Sequence, residues 1–191
     1  MANELFRTQR GRRVAYVSLA ALLLVWSRRA KASRPERLVY PAWEPQRYVP
    51  GSSEQVALFE QAAPVAGVPT SWASNRDFIT VLRRESNGWV GIPNYQYGDF
   101  SRDRDKWPQV WAELRSPGYE CPKKVEGVTG KFTCATGLGQ MIPSNVDAYY
   151  PDGRAGIGDA LNEAIGMLRY IKARYGTPSA ARAFHDEHGW Y

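Results

Sequence analysis

From about Ser52 to the end of the chain, apolar side chains recur at intervals of three and four, and no stretch alternates for long with a period of two. That spacing lines one side of a helix, because about 3.6 residues make a turn, and it does not suit the two faces of a strand. The clearest stripes are Phe78, Val81 and Leu82, then Trp107, Val110, Trp111 and Leu114, then Leu161, Ala164, Ile165, Leu168 and Ile171. The body therefore reads as mostly α. Capping residues suggest the boundaries. Ser53 opens a helix over 54–63 that carries Val56, Phe59 and Ala63 and ends at Gly67-Val68-Pro69, and Ser74, with Asp77 three residues on, opens the next. Asp105 opens a short third helix and Pro143 a fourth. Asp159 caps a long one that runs to Tyr175 and closes at Gly176, and Pro178 starts the last.

One residue breaks the pattern. Glu85 falls seven positions after Phe78, on the apolar side of its helix and just before Asn87-Gly88 stops it. Either the carboxylate turns to solvent beside Arg83 and Arg84, or it is held inside. Burial penalises the charged form and raises the pKa, which is how a glutamate becomes a general acid near neutral pH.

At 191 residues the chain can hold one domain with a real core plus appendages. The net charge of +6 is confined to one end: residues 1–50 hold ten basic and three acidic residues, whereas 51–191 hold fifteen and sixteen. A nucleic-acid-binding domain would carry its basic patch on the folded body, so no specific nucleic-acid partner is expected. A basic segment beside an apolar one suits an anionic membrane surface better. Residues 14–26 are uncharged and apolar between Arg12-Arg13 and Arg28-Arg29. At ~1.5 Å per residue this run covers roughly 20 Å of a ~30 Å hydrocarbon core. It reads as an uncleaved membrane anchor, a signal peptide ending near Ala30-Lys31-Ala32, or a helix packed in an assembly. The expected layout is a basic terminus and apolar helix over 1–27, a Pro-rich extended tether over 28–51, and a domain over 52–191.

Within that domain, residues 88–134 form a long aromatic-rich, loop-rich insertion. Cys121 and Cys134 bracket its polar end, either as free thiols or as a disulfide contributing ~3 kcal/mol. The next segment, Gly137-Leu138-Gly139-Gln140, is an ordinary turn or a place where backbone approaches a ligand closely. Tyr170 lies beside the long helix's stripe, in the core or reaching a cleft. His185-Asp186-Glu187-His188 has metal-ligating residue types but no further cluster to complete a site, so no metal and no cofactor is expected.

Glu85-Ser86, the Gly137 to Gln140 turn followed by Pro143, and the Tyr170 helix occur in an order that resembles the soluble lytic transglycosylases. The ending from Tyr175-Gly176 to Gly189-Trp190-Tyr191 is similar to phage virion and tail versions. The resemblance covers about Ser52 to Tyr191 and implies a goose-type lysozyme-like helical fold. It places the catalytic acid on Glu85 and its structural neighbour on Ser86. The family's Gly-Leu-Met-Gln turn falls on Gly137, Leu138, Gly139 and Gln140, with Gln140 as the substrate-binding glutamine, and the tyrosine close to the acid falls on Tyr170. Gly139 stands where the family carries methionine, and Ala183-Phe184-His185-Asp186 where it carries Ala-Tyr-Asn-x-Gly, which alters the substrate contact assigned to Phe184.

Ordinary glycosidases use two carboxylates. No second one here is placed like Glu85, and a lone acid suits the reaction the resemblance implies: cleavage of the MurNAc-GlcNAc bond with formation of a 1,6-anhydro end. The implied partners are peptidoglycan glycan strands and other virion or ejection proteins, and the apolar run 14–26 adds, from its own composition, a membrane contact as an expected partner. The implied location is a phage virion, in its tail or internal core, acting in the host periplasm and cell envelope, with a membrane-anchored extracytoplasmic protein as the alternative. Two alternatives stand beside it. One is a goose-type hydrolase using Asp99, Asp103 or Asp105 to position water, and the other a non-catalytic structural or channel protein of the ejection apparatus.

Overall fold

Helix α1 spans Ser53–Ala66 and begins one residue earlier than expected, because Ser52 rather than Ser53 caps it, accepting the Gln55 N–H at 3.2 Å. In this computed structural model the described residues are 44–122, 125 and 132–190. The expected N-terminal helix over 1–27, its apolar run 14–26 and the tether as far as residue 43 lie outside them. Among the described residues no helix is long and apolar enough to cross a membrane.

Helix α2 (Arg76–Glu85) is capped by Asn75 in place of Ser74. The Asn75 amide oxygen accepts from both Asp77 N (2.9 Å) and Phe78 N (3.1 Å), satisfying two of the free donors at a helix start. Helix α3 (Trp107–Leu114) starts two residues after Asp105, which instead belongs to a 3-10 turn over Arg104–Lys106. Helices α4 (Pro143–Tyr149), α5 (Ala160–Tyr175) and α6 (Pro178–His188) start where proline and cap signals place them, with Asp159 and Thr177 as the caps of the last two.

The core is built around α5. Its residues from Glu163 to Leu168 are all buried, so it is enclosed on nearly every side rather than along one stripe. Helices α1, α4 and α6 pack on it, and α2 packs on α6. Phe59 of α1 and Phe78 of α2 meet edge to face at 4.7 Å, both fully buried, each side chain contributing about 1.5–3 kcal/mol by burial. The packing of α2 on α6 sets the end of α2, and with it Glu85, against the last helix.

The folded body reaches N-terminally of Ser52. Tyr48 N donates to Gly88 O (2.8 Å) and Val90 N to Gln46 O (3.1 Å), so the end of the expected tether lies along residues 88–90. Gly88 permits this approach: its φ is +78°, and a Cβ there would lie 1.9 Å from Tyr48 O.

The insertion is anchored by side chains expected to form local core. Trp107 and Trp111 are buried, and the Trp111 indole donates to Gly91 O at 2.7 Å. Isolated antiparallel bridges, Pro93 with Thr136 and Thr136 with Met141, join the insertion to the glycine turn. Cys121 and Cys134 form a disulfide, with Cα atoms 5.8 Å apart, so neither is a free thiol.

Candidate active site

A cleft of about 690 Å³ opens where the end of α2, the insertion, the glycine turn and the end of α6 meet. Glu85 and Arg84 come from α2, Asn94, Tyr95 and Gln96 from the insertion, Gln140 from the turn, and His185 and Trp190 from the C-terminal end. Glu85 is therefore not solvated at a frayed helix end, since only 14% of its side chain is exposed. Desolvation pushes its pKa up to about 8, against the lowering effect of the neighbouring Arg84 charge. Near neutral pH it is a carboxylic acid with a proton to give.

His185 Nε2 lies 3.1 Å from Glu85 Oε1, a distance typical of an ion pair. Both partners are nevertheless driven toward their neutral forms. Desolvation first, and then the Arg84 charge, lower the histidine pKa while burial raises that of the glutamic acid, so the contact joins an acid to a neutral imidazole. His188 faces elsewhere, stacked on Phe184 at 4.0 Å. Among the described residues no cluster of three or more metal-ligating side chains forms.

The other expected site residues divide into those that line the cleft and those that build it. Gln140 lines it, in a left-handed backbone conformation (φ +45°) that is costly for a residue with a Cβ. Its amide nitrogen donates to Ile92 O (2.9 Å) and Gly137 O (3.2 Å), and its oxygen accepts from Asn94 (3.2 Å). Gln140 is thus a clamp between the turn and the insertion, with one lone pair left for a ligand. Ser86 is buried, its hydroxyl accepting the Gly88 N–H at 3.1 Å and shaping the turn behind Glu85. Gly137, Leu138 and Gly139 form the buried floor of the turn.

Tyr170 and Phe184 do not line the cleft. Tyr170 is buried between Tyr149 (5.6 Å) and Tyr175 (6.1 Å), and its hydroxyl accepts from Arg174 at 2.8 Å. Tyr175, at the end of the same helix, is the tyrosine raised in part by the Glu85 charge, after burial and Tyr170. Phe184 packs against Tyr175 (5.3 Å) and Trp190 (5.0 Å), supporting the exposed Trp190 at the rim. Asp99, Asp103 and Asp105 do not line the cleft either, and Asp103 is paired with Lys106 at 3.2 Å.

Sequence reasoning missed Glu163. It is fully buried on α5, and its carboxylate accepts backbone N–H groups from Gly91 (3.0 Å), Leu138 (2.9 Å) and Gly158 (2.7 Å). Gly137 makes room for it, since a Cβ there would lie 2.7 Å from the Glu163 carboxyl carbon. The available signal was a second buried line on α5, Glu163, Met167 and Tyr170, which the apolar stripe alone leaves out.

Comparison with protein-family models, with curated proteins and with solved structures returns no match to this chain. The functional reading therefore rests on the site and on the motif order.

Proposed function

We propose that the chain is a peptidoglycan lytic transglycosylase of lysozyme-like fold. The observation that carries this reading is Glu85, a desolvated acid that is the sole carboxyl group among the described residues lining the cleft. Glu85 protonates the glycosidic oxygen as the bond from MurNAc C1 to that oxygen breaks. The muramoyl 6-hydroxyl then forms the new bond to C1, and its proton returns to the Glu85 carboxylate. Atoms and charge balance, the acid is regenerated, and neither a second carboxylate nor an enzyme-bound water is needed. In this reading the free lone pair of Gln140, the Asn94 amide and the exposed rings of Tyr95 and Trp190, all lining the cleft, hold the sugars.

The basic, apolar N-terminal segment ahead of such a domain fits a phage virion protein that opens peptidoglycan locally while a genome or channel passes. The test is the product formed from purified peptidoglycan, with Glu85→Gln as control. Anhydro ends from the wild type and none from the folded variant are expected. Reducing ends would make the protein a hydrolase, and unchanged release by the variant would remove Glu85 as the acid.

A further inference from the structure

His185 is placed by two contacts from α2, one on each ring nitrogen. Its Nε2 lies 3.1 Å from Glu85 Oε1 and its Nδ1 lies 3.0 Å from Arg84 Nη1. A guanidinium can only donate, so Nδ1 presents its lone pair to Arg84. The neutral ring then carries its hydrogen on Nε2, the nitrogen that faces Glu85. We propose that Arg84 and His185 act as a positioning pair for Glu85, in which Arg84 selects the imidazole tautomer and Nε2–H holds Oε1, leaving Oε2 to carry the working proton into the cleft. This rests on the reading of Glu85 as the acid that cleaves glycan.

The arrangement serves both halves of the reaction. Before proton transfer, a donor on Oε1 directs the acid hydrogen to the other oxygen. Afterwards the same N–H meets a carboxylate, and a hydrogen bond to a charged acceptor is about twice as strong as a neutral one. The contact thus stabilises the charged form that develops as the bond breaks. Catalytic contacts of this kind tighten when a ligand fills the site.

A doubly protonated imidazole would spoil this, because an ion pair with the carboxylate would withhold the proton from the glycosidic oxygen. Arg84 opposes that state through its charge beside Nδ1. The other charged groups acting on His185 are Asp186 and Arg182 on its own helix, while Tyr175 at the end of α5 lies near enough to Glu85 to feel its charge. Asp186 acts in the opposite sense on His185, and it is itself engaged by Arg84 (2.5 Å) and Arg182 (2.9 Å).

The test uses the full chain, with kcat and KM for muropeptide release and the nitrogen-15 shifts of His185. The wild type should show the Nε2–H tautomer. His185→Ala should lower kcat about ten- to a hundredfold with KM little changed, the loss expected for a bond to a charged group. His185→Gln, which keeps a neutral N–H donor near the same place, should recover most of that loss. Arg84→Gln should move the His185 titration to higher pH. An Nδ1–H tautomer, wild-type kcat in His185→Ala, no recovery in His185→Gln, or an unmoved titration in Arg84→Gln would each overturn the proposal. If the protein releases no muropeptides at all, the assigned reaction fails, while the tautomer and the Arg84→Gln titration still decide the pairing.

Discussion

Glu163 accepts the Leu138 N–H at 2.9 Å, so one buried carboxylate on α5 holds the turn that carries Gln140. The same oxygen takes the Gly91 N–H from the insertion, and the other takes that of Gly158. Both walls of the cleft thus hang from a single side chain. Burial pushes the Glu163 pKa up to about 7, and the three N–H donors pull it back toward the charged form they require.

Glu163→Gln should therefore be more damaging than its size suggests. The amide oxygen can still accept the Gly91 and Leu138 N–H groups, but the amide nitrogen then faces the Gly158 N–H, donor against donor, at a cost of about 1–3 kcal/mol. Gly137→Ala should act on the same joint, because its Cβ would strike the Glu163 carboxyl at a backbone φ of +79°. Denaturant melts and lytic rates check both. Wild-type stability in Glu163→Gln would mean the turn is held by something else.

Lytic activity should follow the protonated form of Glu85. With its pKa raised to about 8, the rate should be sustained through neutral pH and fall about tenfold per unit well above pH 8. A pH profile of initial rates checks this. Loss of activity already near pH 5 would show that the carboxyl titrates as if solvated.

The same shift has a stability cost with a definite sign. Between pH 4.5 and about 8 the folded protein holds a proton on Glu85 that the unfolded chain has released, so stability falls as pH rises through that window. Glu85→Gln removes the titration. Its stability relative to wild type should grow from pH 5 to pH 8 by roughly 1–3 kcal/mol, a few degrees in Tm. Parallel thermal melts at the two pH values measure it, and a constant difference would contradict the shift.

Reduction of Cys121–Cys134 should loosen the cleft wall, because Thr133 and Ala135 on either side of Cys134 line it. The expected loss is about 3 kcal/mol of stability, with weaker glycan binding. Melts and binding to glycan fragments with and without reductant report the two effects. Unchanged values would mean the wall is fixed by its backbone bridges alone.

The helices were legible in the sequence because their signals are local. Proline and glycine punctuation and the three-four spacing of Phe78, Val81 and Leu82 sit within a few residues of what they specify. The placement of Glu85 on the inner side of α2 was legible for the same reason. Small errors, such as Ser74 for Asn75 as a cap, came from two adjacent residues of suitable type competing for the same N–H groups.

By itself, then, the sequence determined a mostly helical body and one acid turned inward at the end of a helix. Only the tertiary structure decided what surrounds that acid. His185 reaches Glu85 from the last helix, Glu163 hangs both cleft walls from the core, and Tyr170 is packed behind the cleft while Gln140 clamps its rim. These relations join residues far apart in the chain through directional contacts and shared burial. Neither periodicity nor capping encodes a partner at that distance, so packing alone brings them together.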